Sequence, residues 1–195
     1  MIEVEIKAKI SDPDLMRKKF EENLGIYKIS LIHEDIYYNM PIGLRDFKKT
    51  DEALRLRKSR RFDKRLNKNE HGDQYYITYK GKRIDDLTKT REEIDIKIEN
   101  IEKMKKIFEN LGFQEVLTVK KERELYEFKL GTYHIEALID YVPFLGQHFI
   151  EVEYLCDSED QVANSREILF EFLNKLGIQK KDSIRKSYLE LILES

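Results

Sequence analysis

Charged and aliphatic residues alternate along the first ten residues of the chain. Glu3, Glu5 and Lys7 stand on every second position, and the residues between them are Ile, Val, Ile or Ala. Because successive side chains of a β-strand point to opposite faces, this spacing predicts a strand with one charged and one apolar face. An isolated strand of this kind usually turns its charges to water, so the pattern gains meaning only if other strands share it.

The same alternation recurs in later segments, and the charged positions are mostly Glu, Asp, Arg and Lys rather than neutral polar residues. If the sheet closes into a barrel, its apolar face packs outward under helices and its charged face lines the interior. We therefore predict an α+β fold in which an eight-stranded antiparallel closed β-barrel carries helices on its outside. The predicted strands after the first are residues 31–39, 53–59, 74–81, 90–99, 114–128, 133–141 and 148–156.

Helical spacing of apolar residues marks four further segments between and after the strands. One begins near Ser11 and ends at Gly25, a second runs from Asn100 to Gly112, and a third covers about Ser158 to Leu176. The last, Ser183 to Glu194, is expected to pack against the rest of the fold. With 195 residues and 41% apolar content, the chain is long enough for one full core, so we expect a single domain over residues 1–195.

Composition excludes several classes of function. Lys and Arg number 36 against 38 Asp and Glu, so the net charge of −2 offers no overall attraction to nucleic acid. The single cysteine, Cys156, has no partner for an internal disulfide. No secretory signal or apolar stretch of membrane-spanning length is apparent, so we expect a cytoplasmic protein without a membrane partner.

Charges that face the inside of a barrel are costly unless each has a partner. A mixture of both signs therefore suits a ligand that is itself strongly charged. Arginine forks match phosphate oxygens, and carboxylates are the hard oxygen ligands that Mg²⁺ prefers. The strand pattern thus predicts a polyphosphate site with a divalent metal.

Several short motifs occur in an order that covers almost the whole chain, and together they resemble the CYTH superfamily of triphosphate tunnel metalloenzymes, most closely its class IV adenylyl cyclase branch. Thiamine triphosphatases and inorganic tripolyphosphatases are sister groups. The matching segments are Glu3–Lys7, His33–Tyr38, Ala53–Arg57, Ile77–Gly81, Arg91–Glu93, Val119–Arg123, Asp140–Val142, Leu145–Gly146, Phe149–Glu153 and Lys186–Leu191.

The resemblance implies a tunnel that binds a triphosphate through basic side chains and Mg²⁺ or Mn²⁺ through carboxylates. The metal-binding candidates are Glu3, Glu5, Glu151 and Glu153, with Glu151 favoured over Glu153 as the ligand from the late strand. Lys7 and Asp140 fall on positions expected to take part in catalysis or to organise the site. The resemblance also allows a homodimer. The expected triphosphate-binding residues are Arg55, Arg57, Lys80, Arg91, Lys121 and Arg123.

Three functions stay open at this point. The first is an adenylyl cyclase that converts ATP into cyclic AMP and pyrophosphate, and the second is a triphosphatase that hydrolyses tripolyphosphate or thiamine triphosphate. The third is a non-catalytic RNA or polyphosphate binding module, suggested by the basic run from Arg55 to Arg61 with Lys64 and Arg65.

Two details of the sequence carry their own expectations. His33 is expected to be an exposed structural residue rather than a proton carrier. Gln147 and His148 place one extra residue after Gly146 relative to the family pattern, which predicts a β-bulge and leaves the register of Glu151 against Glu153 open.

Overall fold

The computed structural model describes residues 2–63, 68–69, 72–85 and 87–195. The strands are β1 (Ile2–Ile10), β2 (Ile26–Asn39), β3 (Ala53–Asp63), β4 (Lys68–Asn69), β5 (Gln74–Lys80), β6 (Arg91–Ile98), β7 (Gln114–Leu130), β8 (Tyr133–Val142) and β9 (Gln147–Cys156). Eight of them form a closed antiparallel barrel in the order β2-β7-β8-β9-β1-β6-β5-β3, with β3 pairing back to β2. The predicted barrel is therefore confirmed. The two-residue strand β4 pairs with the end of β3.

Five α-helices among the described residues pack around this barrel. Their bounds are α1 (Pro13–Glu22), α2 (Phe47–Thr50), α3 (Ile101–Asn110), α4 (Val162–Lys175) and α5 (Tyr188–Leu193). The predicted second long helix is confirmed, since Asn100 caps α3 with its side chain and Gly112 follows with a φ of +81°. None of the described helices combines the length and the apolar character that a membrane crossing requires.

The alternation along β1 sorts its side chains between two environments. Val4, Ile6 and Ala8 are fully buried in the main apolar core, which lies between the outer face of the barrel and helices α1 and α4. Glu5 and Lys7 are also buried, but on the opposite face, inside the barrel. A second apolar core lies under α3 and contains Leu56 and Phe108. The apolar faces of the strands thus point outward under the helices, and charged side chains occupy the barrel interior.

The C-terminal segment closes one end of the barrel. The N–H of Ile184 donates to the carbonyl of Lys7 at 2.7 Å, and Ser183 forms a β-bridge with Ala8. Helix α5 then begins at Tyr188, whose ring is buried against Phe149 at a centroid distance of 5.1 Å. The predicted helical segment is therefore shorter than expected, because its first residues follow β1 in extended form.

The predicted bulge in β9 is wrong. Strand β9 pairs without a register shift from His148 to Cys156 with β1, and Gly146 absorbs the extra residue in a turn with a φ of +57°. Glu153 lies opposite Glu5, and Glu151 lies opposite Lys7. Because the two glutamates are separated by one residue, both project into the barrel. The basic run of the RNA-binding hypothesis ends with Lys64 and Arg65, which lie outside the described residues.

Candidate active site: a charged tunnel

A cavity of about 520 Å³ occupies the barrel interior, and residues of α2 and of the C-terminal segment contribute to its lining. All six predicted triphosphate-binding residues and all four predicted metal ligands line this cavity. The charged residues that the described strands contribute to its lining balance in number, six basic and six acidic. The basic residues are Arg55, Arg57, Lys80, Arg91, Lys121 and Arg123, and the acidic ones are Glu3, Glu5, Asp35, Glu93, Glu151 and Glu153.

Three carboxylates in the cavity come close enough to share a cation. Oxygens of Glu3, Glu5 and Glu153 all lie within 4.8 Å of one another. Burial raises the pKa of Glu3 well above its ordinary value, although Lys80 acts in the opposite direction. Burial also raises the pKa of Glu153 to about 8, aided by repulsion from Glu5 and Glu151. Ionisation of all three carboxyls would therefore place more negative charge here than the neighbouring cations compensate, and a bound cation would supply the missing positive charge.

Glu151 lies in a different electrostatic setting from Glu153. Burial alone would raise its pKa, but Lys89, Lys121 and Arg123 outweigh burial and hold the pKa well below its ordinary value. Arg123 donates directly to the Glu151 carboxylate, and the Lys89 ammonium lies 3.4 Å from it. Glu151 thus already has cationic partners, and the three-carboxylate cluster contains Glu153 instead, contrary to the preference drawn from the family pattern.

The basic residues of the cavity are held in place by carboxylates on neighbouring strands. Arg57 donates two hydrogen bonds, of 2.6 and 2.7 Å, to both oxygens of Asp35. Asp35 is almost fully buried, and burial would raise its pKa, but Arg57 and Arg55 hold that pKa well below its ordinary value. Lys80 pairs with Glu93 in the same way. These bidentate and paired contacts fix the cations in orientations that can receive phosphate oxygens.

Asp140 and Lys7, the two predicted catalytic residues, are buried next to residues of the cavity lining but do not line the cavity themselves. Asp140 is fully buried and accepts hydrogen bonds from Arg123 at 2.7 Å, from Lys121 at 3.2 Å and from the Tyr188 hydroxyl at 2.9 Å. It therefore orients two cations of the cavity and anchors the C-terminal segment.

Lys7 is also fully buried, and its ammonium donates to the carbonyl of Lys186. The same ammonium lies 4.1 Å from the ring centroid of Tyr188, within the range of a cation–π contact. Burial, followed by repulsion from Lys89, lowers the pKa of Lys7 well below its ordinary value. In this arrangement Lys7 holds the C-terminal segment against the barrel.

The expectation that His33 is exposed is wrong, because the side chain is 4% exposed. It shares the inward face of β2 with Asp35, so its burial follows from the alternation. Burial, followed by repulsion from Arg57, lowers its pKa well below the ordinary value. His33 is therefore neutral at pH 7, and its Nδ1 has no hydrogen-bond partner among the described residues.

Lys89 and Tyr188 are cavity residues that sequence reasoning missed. Lys89 lies before β6, and its ammonium contacts the carboxylate of Glu5. Burial alone would lower its pKa, but Glu5 and Glu151 outweigh burial and raise that pKa. The sequence does hold a signal for Lys89, because it continues the alternation of Arg91 and Glu93 backward by one step. Tyr188 lies in a helical pattern that gives no indication of contact with the barrel interior.

The raised pKa of Glu153 predicts a specific pH dependence of stability in metal-free protein. Between its ordinary pKa of 4.5 and about 8, folded Glu153 keeps a proton that the unfolded chain has released, so its contribution to stability falls as pH rises. We expect Glu153→Gln to raise Tm relative to wild type, by several °C more at pH 9 than at pH 5. Thermal unfolding in the presence of a chelator measures this difference.

Glu122→Gln is the matched control for this experiment, because Glu122 is an exposed glutamate on β7. Its Tm difference from wild type should not change with pH. If the Tm difference between Glu153→Gln and wild type is also independent of pH, the raised pKa of Glu153 is contradicted.

Comparisons with known proteins agree with this geometry. A closed β-barrel whose interior cavity is lined by charges of both signs defines a class of protein, the charged β-barrel tunnels. A CYTH domain matches residues 1–188, and the chain belongs to the CYTH family. A protein of Methanocaldococcus jannaschii, provisionally named an adenylate cyclase, is 44% identical over 193 residues, covering 98% of both chains. The resemblance to the CYTH family inferred from the motifs is thereby confirmed.

Two solved structures extend the comparison. A Pyrococcus horikoshii protein is 39% identical, superposes with a TM-score of 0.84 and covers 98% of both chains. A Hippeastrum protein, provisionally named an adenylyl cyclase and reported to have a dominant triphosphatase activity, has a TM-score of 0.64. It is 16% identical, over 98% of this chain and 95% of its own, so this likeness concerns the fold. Fold and family together imply a divalent metal, and the cluster of Glu3, Glu5 and Glu153 has the ligand chemistry that such an ion needs.

Proposed function

We propose that this chain is a metal-dependent enzyme that converts ATP into cyclic AMP and pyrophosphate inside the tunnel. The observation that carries the proposal is the placement of a three-carboxylate cluster beside six strand-borne cations in one enclosed cavity. The provisional name of the Methanocaldococcus jannaschii relative supports the choice of reaction.

Charge balance supports a metal–triphosphate complex as the ligand. The strand residues that line the cavity carry equal numbers of basic and acidic groups, so a bare triphosphate would add several uncompensated negative charges. A divalent ion that enters with the triphosphate reduces this excess. The cluster of Glu3, Glu5 and Glu153 would hold that ion, and Mg²⁺ or Mn²⁺ suits its carboxylate ligands.

The reaction itself needs little covalent help from the protein. The 3′-hydroxyl oxygen of ATP attacks the α-phosphorus and its proton passes to solvent. The bond between the α-phosphorus and the oxygen that bridges it to the β-phosphorus breaks, and pyrophosphate leaves with the bonding electron pair. When bound, the metal supplies neutralisation of charge on the phosphates.

In this proposal the basic residues bind and orient the phosphate chain. Arg57 and Arg123 present planar guanidinium groups that Asp35 and Asp140 hold in fixed orientations. Lys80 and Lys121 act as point charges, and Arg91 and Arg55 complete the set of predicted phosphate ligands. Such positioning and neutralisation contribute most of the catalysis in phosphoryl transfer. Asp140 and Lys7 act as positioning residues, since neither lines the cavity.

Hydrolysis of a terminal phosphate is the second candidate reaction. The dominant triphosphatase activity reported for the Hippeastrum protein, which has the same fold, supports hydrolysis as this second candidate. A tunnel that binds three phosphates suits both reactions, which differ in the phosphorus atom that the oxygen attacks.

The proposal is tested by offering the purified protein ATP, tripolyphosphate and thiamine triphosphate with Mg²⁺ or Mn²⁺ from neutral to alkaline pH. We expect cyclic AMP and pyrophosphate in equal amounts from ATP, identified by chromatography. Release of orthophosphate without cyclic AMP would show that the chain is a triphosphatase and not a cyclase. Turnover of none of the three, together with tight and salt-dependent RNA binding, would overturn the enzyme proposal in favour of a binding module.

A further inference from the structure

One part of the cavity lining is apolar rather than charged. It consists of Tyr37, Val116, Leu189 and Leu193, which we call the apolar patch. Most of the charged strand residues in the lining are buried, whereas Val116 is 43% and Leu193 is 50% exposed. The apolar patch therefore lies where the cavity meets solvent. Large apolar side chains that stay exposed in a binding cavity indicate contact with an apolar part of the ligand.

A β-bulge turns Val116 into the cavity. Tyr37 pairs with Leu117, and the next residue of β2 pairs with Glu115, so the pairing skips Val116. By alternation from Lys121, which lines the cavity, Val116 would face outward. An extra residue in a strand breaks the alternation and re-aims its own side chain. The local backbone is thus arranged to bring one aliphatic side chain to the cavity.

The other members of the apolar patch come from α5 and β2. Leu189 and Leu193 are four residues apart, so they lie on one face of α5. Helix α5 packs against β7, the strand that carries Val116. Tyr37 shares the inward face of β2, and its phenol group lies next to the guanidinium of Arg55. The apolar patch therefore adjoins the cations that are proposed to bind phosphate.

We propose that the apolar patch binds the purine base of ATP while the neighbouring cations hold its phosphates. This inference rests on the proposed function, because tripolyphosphate has no apolar part that would cover the patch. A purine is a flat aromatic ring system whose faces pack on aromatic and aliphatic side chains. The base and the triphosphate of ATP thus match two adjoining parts of one cavity.

Binding at both ends of ATP also serves the cyclisation. With the base on the apolar patch and the phosphates on the cations, the ribose lies between the two parts of the site. Holding both ends restricts the conformations of the bond chain that joins the 3′-oxygen to the α-phosphorus. Leu189 and Leu193 lie beyond residues 1–188, which match the CYTH domain, so membership of the family does not assign them this role.

The first experiment uses the fact that the sequence contains no tryptophan. In the Val116→Trp variant the new indole is the sole tryptophan, and a purine stacked on it should quench its fluorescence. The probe is the magnesium complex of α,β-methylene ATP, because its methylene bridge prevents the loss of pyrophosphate. We expect saturable quenching by this analogue and no quenching by magnesium tripolyphosphate.

Leu111→Trp is the matched control for the fluorescence experiment. Leu111 is 61% exposed, directly follows α3 and does not line the cavity. Neither ligand should quench the fluorescence of this variant. Equal quenching of Val116→Trp by both ligands, or quenching by neither, would overturn the proposal.

Removal of an apolar side chain from the patch provides a second test. Leu193→Ser should raise the dissociation constant of the ATP analogue about fivefold or more, because the base loses an apolar contact. The dissociation constant of tripolyphosphate should stay unchanged, and Leu111→Ser should change neither value. Calorimetry measures both constants, and circular dichroism checks that each variant is folded. Equal weakening of both ligands in Leu193→Ser would refute a base site.

Failure of this inference can be distinguished from failure of the proposed reaction. Formation of cyclic AMP by the wild-type protein, without quenching in Val116→Trp, would refute the base site and leave the reaction in place. Quenching by the analogue, with orthophosphate and no cyclic AMP as the product from ATP, would refute the cyclase and leave the base site in place.

Discussion

Glu5→Gln is expected to lower kcat/KM for the preferred triphosphate by about 100-fold or more, the loss typical of removing one preorganised charge-stabilising group. Glu5 is 5% exposed and belongs to the three-carboxylate cluster with Glu3 and Glu153. Glutamine keeps the size of the side chain and an oxygen for the ammonium of Lys89, but it removes the charge that a cation requires. Steady-state kinetics at several metal concentrations measures the loss.

A second readout separates a metal defect from a general one. In wild type, Mg²⁺ or Mn²⁺ should raise Tm because binding to the folded state stabilises it, and in Glu5→Gln this rise should shrink or vanish. Glu122→Gln, an exposed change on β7, should behave like wild type in both assays. An undiminished metal-induced Tm shift in Glu5→Gln would contradict the assignment of this carboxylate to the metal site.

Asp140→Asn is expected to have the largest effect on stability. Asp140 is fully buried and compensates Arg123 and Lys121, which are themselves almost fully buried. Removing one partner from a buried ionic group leaves charge without compensation and typically costs about 3–5 kcal/mol. The expected decrease in Tm is therefore about 6–20 °C, measured by circular dichroism.

The same substitution should weaken activity through the cations that Asp140 orients. Arg123 and Lys121 line the cavity and are expected to lose their fixed orientation, so KM for the triphosphate should rise at temperatures where the variant is still folded. Asp160→Asn, in an exposed turn before α4, is the control and should leave both Tm and KM unchanged. Equal Tm values for the two variants would refute the role of Asp140 as the centre of this network.

Alternation of charged and apolar residues is enough to predict the barrel, because each strand repeats it and the two faces of a strand must go to different places. Because residues at every second position of a strand share one face, the alternation also predicts the inward positions of four basic residues, Arg55, Arg57, Lys121 and Arg123. The same alternation places His33 on the inward face with Asp35, which is why His33 is buried rather than exposed as expected. For these residues, the position in the alternating pattern is sufficient to predict whether the side chain points into the barrel.

Other features of the site depend on register and on contacts between distant segments. The alternation alone does not distinguish Glu151 from Glu153, since both point inward, and the different pairing of Glu151 with Lys121 and Arg123 becomes visible only in the folded chain. The position of Tyr188 beside Asp140 depends on the return of the C-terminal segment to β1. Helical spacing in that segment says only that one face is apolar.

The pairing of β1 with β9 has a consequence for how the chain is made. The first strand of the barrel pairs along its whole length with the last one, so during synthesis this backbone edge of β1 has no permanent partner until residues 147–156 have left the ribosome. At about 5–20 residues per second this delay is on the order of ten seconds or more. Pairings between such distant segments also slow folding. We therefore expect newly made chains to be most prone to aggregation in this interval, and the tunnel to form as one of the last events of folding.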